Sequence, residues 1–111
     1  MYSGDHPSIA DTLGDLANVF EKLGKYDDSL TFHRKALDMK RAVYGAQHAS
    51  IADSLTNIAM IHKVRQNYSE ALKMFELSLD MKRKVFGPDH QSVSETLGNM
   101  ALVQYKLGNY T

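Results

Sequence analysis

The sequence has no cysteine, no tryptophan, two prolines and a formal net charge of zero. The missing cysteine excludes disulfides, thiolate nucleophiles and cysteine-held metals. Because 13 basic side chains balance 13 acidic ones, nothing in the charge favours nucleic acid or an anionic membrane, and a neutral or mixed protein surface is the expected partner. No long apolar run and no charged-then-apolar leader is visible, so neither a membrane span nor a secretion signal is read, and the expected location is cytoplasmic. What is present, 111 residues of which 43% are hydrophobic and 23% charged, suits one globular domain with a modest core.

That domain is one unit written two and a half times. An ungapped offset of 42 aligns "HPSIADTLGDLA" at His6, "HASIADSLTNIA" at His48 and "HQSVSETLGNMA" at His90. Identical in all three copies are His6/His48/His90, Ser8/Ser50/Ser92, Leu13/Leu55/Leu97, Ala17/Ala59/Ala101 and Tyr26/Tyr68/Tyr110. The two full copies also share "ALDMKRAVYG" and "SLDMKRKVFG". A period of this size marks stacked supersecondary units, none of which can bury its apolar face alone.

Each unit reads as two helices. Ile9, Leu13, Leu16, Ala17, Phe20 and Leu23 recur on one face of the first, with Asp11, Asp15, Asn18 and Lys22 on the other. The spacing predicts helices near 8–23, 27–44, 50–65, 69–86 and 92–107, and no strand. Ser8, Ser50 and Ser92 are expected to cap the first helices, paired with Asp11, Asp53 and Glu95. Asp27, Ser69 and Thr111 are expected to cap the second. Gly24 and Gly108 sit where a left-handed residue ends a helix, and Gln66 is a less comfortable occupant of that place. Since Thr111 is a cap with no helix after it, the chain is expected to be a piece of a longer array.

The pattern resembles the tetratricopeptide repeat (TPR), in which a spaced W-x-x-L-G-x-x-Y is followed by A-x-x-x-F and a further alanine. The spacing falls on Leu13, Leu16, Ala17, Phe20, Ser29, His33 and Ala36, then on Leu55, Ile58, Ala59, His62, Ala71, Phe75 and Ser78. Leucine stands for the tryptophan, and the closing proline is absent. The 42-residue period and "GPDHQSV" followed by "TLGNMA" look most like kinesin light chain repeats. The resemblance implies an all-α, right-handed superhelical solenoid of antiparallel helix pairs, with five helices here. It divides a single domain, 1–111, into repeats at about 3–44 and 45–86 and a half repeat at about 87–111.

Chemistry finds little support in these residues. Equivalent histidines of neighbouring repeats lie a helix-packing distance apart, roughly 8 to 10 Å, whereas zinc holds each nitrogen at about 2 Å. The histidine column is therefore read as structural, each ring bonded near a helix entrance, and His33 and His62 as packing residues. The serines repeat with the caps, and no phosphate-cradling loop appears. Basic stretches at "KRAV" and "KRKV" complement helix carboxyl ends. The chain is read as a non-enzyme without metal or cofactor.

One surface keeps a functional reading. In the resembled family the first helices line a concave groove that holds an extended peptide. Carried onto this sequence, with Asp11 and Glu95 at its edge, the groove is Asp15, Asn18 and Lys22; Asp53, Asn57, Met60, Lys63 and Val64; and Asn99, Leu102, Tyr105 and Lys106. The amides of Asn57 and Asn99 can both donate to and accept from a peptide backbone. The leading expectation is thus a protein-interaction module binding a partner's peptide, with a scaffold that assembles through its ends or convex face as the alternative. Self-association is also expected, through an end exposed at Val93, Leu97, Met100 and Leu107.

Overall fold

Periodic apolar residues and well-placed stops give five helices among the described residues. The computed structural model describes residues 7–108, with α1 at Pro7–Lys22, α2 at Tyr26–Tyr44, α3 at Ala49–Val64, α4 at Tyr68–Phe86 and α5 at Gln91–Lys106. Among the described residues there is no strand. Each helix packs on the next, so that α2 lies between α1 and α3, and α4 between α3 and α5. The stack measures 55 × 34 × 18 Å.

The helix starts correct the expected caps. The residues that cap α3 and α5 are His48 and His90, whose Nδ1 atoms accept from the amides of Ser50 and Ser92, each at 3.0 Å. Both rings stack on an aromatic side chain that ends the preceding helix: Tyr44 with His48 at 3.9 Å and Phe86 with His90 at 4.3 Å between centroids. An extended residue before the helix lets an imidazole reach forward two positions, which places the serines inside the first turn. The histidine column is therefore structural at both described copies. His6, Tyr110 and the cap expected at Thr111 lie outside the described residues.

The turns within each repeat explain why Asp27 and Ser69 do not cap either. Lys25 N–H returns to the carbonyl of Phe20 and Gly24 N–H to that of Glu21, while the carbonyl of Lys25 already accepts from Ser29. Asn67 and Gln66 repeat the arrangement on His62 and Lys63. The residue that closes one helix thus opens the next, without a side-chain cap, and Asp27 and Ser69 fall inside the first turn. The left-handed position is held by Gly24 (φ 77°), Gly108 (φ 85°) and Gln66 (φ 65°). A side chain with Cβ pays roughly 1–2 kcal/mol there, so Gln66→Gly is expected to raise stability by about 1 kcal/mol in urea melts, whereas Gln66→Ala is not.

Two apolar clusters join the repeats. One gathers Leu30 and Leu37 of α2 with Ile51, Leu55, Ile58 and Ile61 of α3. The other centres on Phe75 and includes Ala59, Ala71, Leu79, Val93, Met100 and Val103. Where serine stands among the small residues of a crossing, the facing backbone satisfies it: Ser29 Oγ donates to Ala17 O at 2.7 Å, and Ser78 Oγ to Ala52 O at 3.2 Å. Among the described residues no helix is long and apolar enough to cross a membrane.

Candidate functional site: the open strip of the first helices

Covered by α2 on one side and α4 on the other, α3 keeps a narrow strip toward solvent. That strip contains Asp53 and Val64, which are exposed, and Asn57, Met60 and Lys63, which are half-buried. Met60 also packs partly against the Phe75 cluster. The same register on α1 holds Asp11, Asp15, Asn18 and Lys22, all exposed. On α5 it holds Asn99, half-buried, with Glu95, Leu102, Tyr105 and Lys106 exposed. The residues expected to line a groove therefore occupy equivalent faces of the three odd-numbered helices.

The end surface is different from the expectation. Val93 and Met100 are buried, because α4 covers them through Leu79 and its neighbours. Leu97 and Leu107 are exposed, at 43% and 37%. Ala101 is exposed too, although its counterparts Ala17 and Ala59 are fully buried. The helical phase of α5 separates the two sets: one faces back toward α4 and the other forward.

Two lysines, not singled out by sequence, cross the junctions between repeats, one at each. Lys40 Nζ donates to Ser54 Oγ at 2.9 Å and Ser50 O at 3.2 Å; Lys82 Nζ donates to Thr96 Oγ1 at 2.8 Å and Ser92 O at 3.5 Å. The "KR" stretches are thus divided in their roles. Arg41, Arg83 and Lys84 sit in the last helical turns, while Lys40 and Lys82 are buried and reach the next helix. The signal was available, since Leu30, Leu37 and Lys40 share one helical face, as do Leu72, Leu79 and Lys82. Desolvation holds the amino groups of both lysines below their usual range. Asp53 and Asp11 oppose this at Lys40, and Asp53 and Glu95 at Lys82. The acidic edge of the strip is therefore also a row of counter-charges for the buried lysines.

His33 and His62 are buried in packing positions, and His33 Nε2 and His62 Nδ1 have no hydrogen-bond partner among the described residues. Burial, reinforced by Lys40, lowers the His33 pKa from 6.5 to about 4. For His62 burial again leads, with Arg34 adding to it and Glu70 opposing. Both are neutral packing groups at pH 7. Among the described residues, no three histidine, aspartate or glutamate side chains come together as a metal ion requires.

A family model for tetratricopeptide repeats matches residues 8–84 and 50–111. The chain belongs to the tetratricopeptide repeat family. Tetratricopeptide repeats are generally protein–protein interaction modules and typically non-catalytic. The solved structures similar to this chain include BtubC (BKLC) from P. vanneervenii, with 20% identity and a TM-score of 0.89 over 96% of this chain and 42% of the other. Another is the structure of nearly identical TPR-like repeats ascribed to a kinesin light chain of Podosopora anserina, with 17% identity and a TM-score of 0.82 over 98% of this chain and 51% of that one. The chain spans about half the length of these structures. No curated protein matches its sequence. In fold, this tetratricopeptide repeat domain is an all-α solenoid of the kinesin light chain type.

Proposed function

We propose that this chain binds a peptide segment of a partner protein along the strip of α1, α3 and α5, in the manner of a cargo or scaffold adaptor. The observation that supports it most is the composition of the strip on α3. Its neighbours leave Asp53, Asn57, Met60, Lys63 and Val64 toward solvent, a set that mixes one amide and two charges with apolar groups. Val64 at the end of α3, and Leu102 and Tyr105 on α5, hold apolar surface toward solvent, of which a merely solvated face has no need. Asn57 and Asn99 stand at one register and offer backbone-matching amides, while Met60, Leu102 and Tyr105 offer apolar contact. The exposed charges add about 0 to 1 kcal/mol per pair, so they set orientation more than affinity.

The test is a selection of extended peptides on the intact chain, counter-screened with Asn57→Ala/Asn99→Ala. Loss of two backbone-directed amides is expected to weaken selected peptides by at least about tenfold, with the helical spectrum unchanged. Peptides that bind both proteins equally would remove the strip from consideration.

Exposure of Leu97 and Leu107 favours a second reading, self-association through the α5 end. Sedimentation over a range of concentrations is expected to show a reversible oligomer that Leu97→Glu weakens; a monomer into the high micromolar range refutes it.

A further inference from the structure

The two outer helices of the strip agree at its edges and differ between them. Along one edge Asp11 of α1 corresponds to Glu95 of α5, and along the other Lys22 corresponds to Lys106. The three registers in between all change in one direction. Asp15 on α1 corresponds to Asn57 and Asn99, Asn18 to Met60 and Leu102, and Glu21 to Lys63 and Tyr105. From α1 to α5 the strip therefore loses carboxylate and gains apolar surface. Leu102 and Tyr105 are 45% and 61% exposed, whereas α1 has no apolar side chain at any of these registers.

The carboxylates of the strip are not equivalent either. Asp11 and Asp53 act on the ammonium group of Lys40, and Asp53 and Glu95 on that of Lys82. Asp15 and Glu21 counter neither lysine, and neither forms an ion pair among the described residues. Negative charge without an internal partner is thus concentrated on α1. On α3 the register of Glu21 is held by Lys63, so a cationic group moved one repeat along the strip meets like charge there.

We infer that the strip takes an extended segment of segregated composition, with lysine or arginine at the end lying over α1 and a leucine, methionine or aromatic residue at the end lying over α5. The inference rests on the strip being the peptide site. Contact with Leu102 and Tyr105 gives most of the affinity, while Asp15 and Glu21 choose the direction in which the segment lies. Turned round, the same segment sets its apolar end on a wholly polar helix and its cations beside an aromatic and a lysine. An acidic segment gains nothing at either end: α1 repels it, and on α5 Lys106 is balanced by Glu95.

The probes are fluorescein-labelled nonapeptides of otherwise polar residues, with two lysines at one end and leucine and phenylalanine at the other, made in both chain directions and titrated into the intact chain. Binding is expected in at least one direction, and glutamates in place of the lysines should weaken it about fivefold or more. A scrambled peptide with the lysines at its centre should lose as much. Asp15→Asn/Glu21→Gln in the protein should narrow the preference for lysine over glutamate to less than about twofold, whereas Leu102→Ser should weaken both peptides alike. Asn57→Ala/Asn99→Ala tests the strip itself and should also weaken both, with circular dichroism showing each variant as helical as the parent. Binding that needs the two asparagines but favours the glutamate peptide, or ignores Asp15→Asn/Glu21→Gln, overturns the inference and leaves the strip as the peptide site. Binding indifferent to the asparagines, or no binding by any of the peptides, removes the strip and the inference with it.

Discussion

Acidification from pH 7 to pH 5 is expected to remove about 2 kcal/mol of folding stability through His33 alone. The sign follows from where the proton can bind. In the unfolded chain the imidazole takes a proton below pH 6.5, whereas the folded protein refuses it until about pH 4. Stability contributed by the neutral ring is complete above pH 6.5 and is lost as the pH falls toward 4, by about 3 kcal/mol in all. His62, shifted in the same direction by its own burial, steepens the loss. The counterpart of His33 in the second repeat is Phe75, so His33→Phe is the natural control: it keeps an aromatic ring in the site and removes the titration. Urea midpoints at pH 7, 6 and 5 check this, above the range in which most carboxylates titrate. A His33→Phe protein with the parent's pH dependence would show that the ring is more accessible to protons than its burial implies.

Truncation of Phe75 itself is expected to cost about 3–5 kcal/mol, the largest effect of any single substitution considered. The side chain is fully buried and touches a cluster drawn from α3, α4 and α5. Removing it therefore leaves a hole shared by three helices, which no single neighbour can close by changing rotamer. A domain of this size commonly has only about 5–15 kcal/mol in total, so Phe75→Ala should be largely unfolded in mild urea and Phe75→Leu much less affected. Equilibrium unfolding followed by helical ellipticity gives the numbers. A loss under about 1 kcal/mol would mean that the third half repeat contributes little to the second.

The helices were legible because period and punctuation agree: apolar positions return on one face, and Gly24, Gly45 and Gly87 fall where helices end, each with positive φ. Their ends were legible to one residue. The caps were not, because serine before an apolar run is an N-cap by composition, while the actual cap depends on ring stacking between His48 and Tyr44 that only the fold brings about. The open strip could be placed from helical phase alone. The burial of Val93 and Met100 is legible in their register with Ile51 and Ile58, but the apolar residues of α5 form two surfaces, Val93 and Met100 against α4 and Leu97 and Leu107 toward solvent, which composition alone does not separate. The lysine junctions were hidden by a reasonable competing reading, in which a cation near a helix end serves the dipole. Lys40 is distinguished from Arg41 only by its phase with Leu37.

The consecutive order of helix packing also governs how the chain finds its structure. The principal contacts join each helix to the next, and only short turns separate them: three residues within each repeat and four between repeats. Loop closure is therefore cheap at every step, and the principal contacts form between helices adjacent in sequence. Chains dominated by such local contacts fold in microseconds to milliseconds. Here α2, α3 and α4 each have a neighbour on both sides, so structure formed at any of them can spread in either direction.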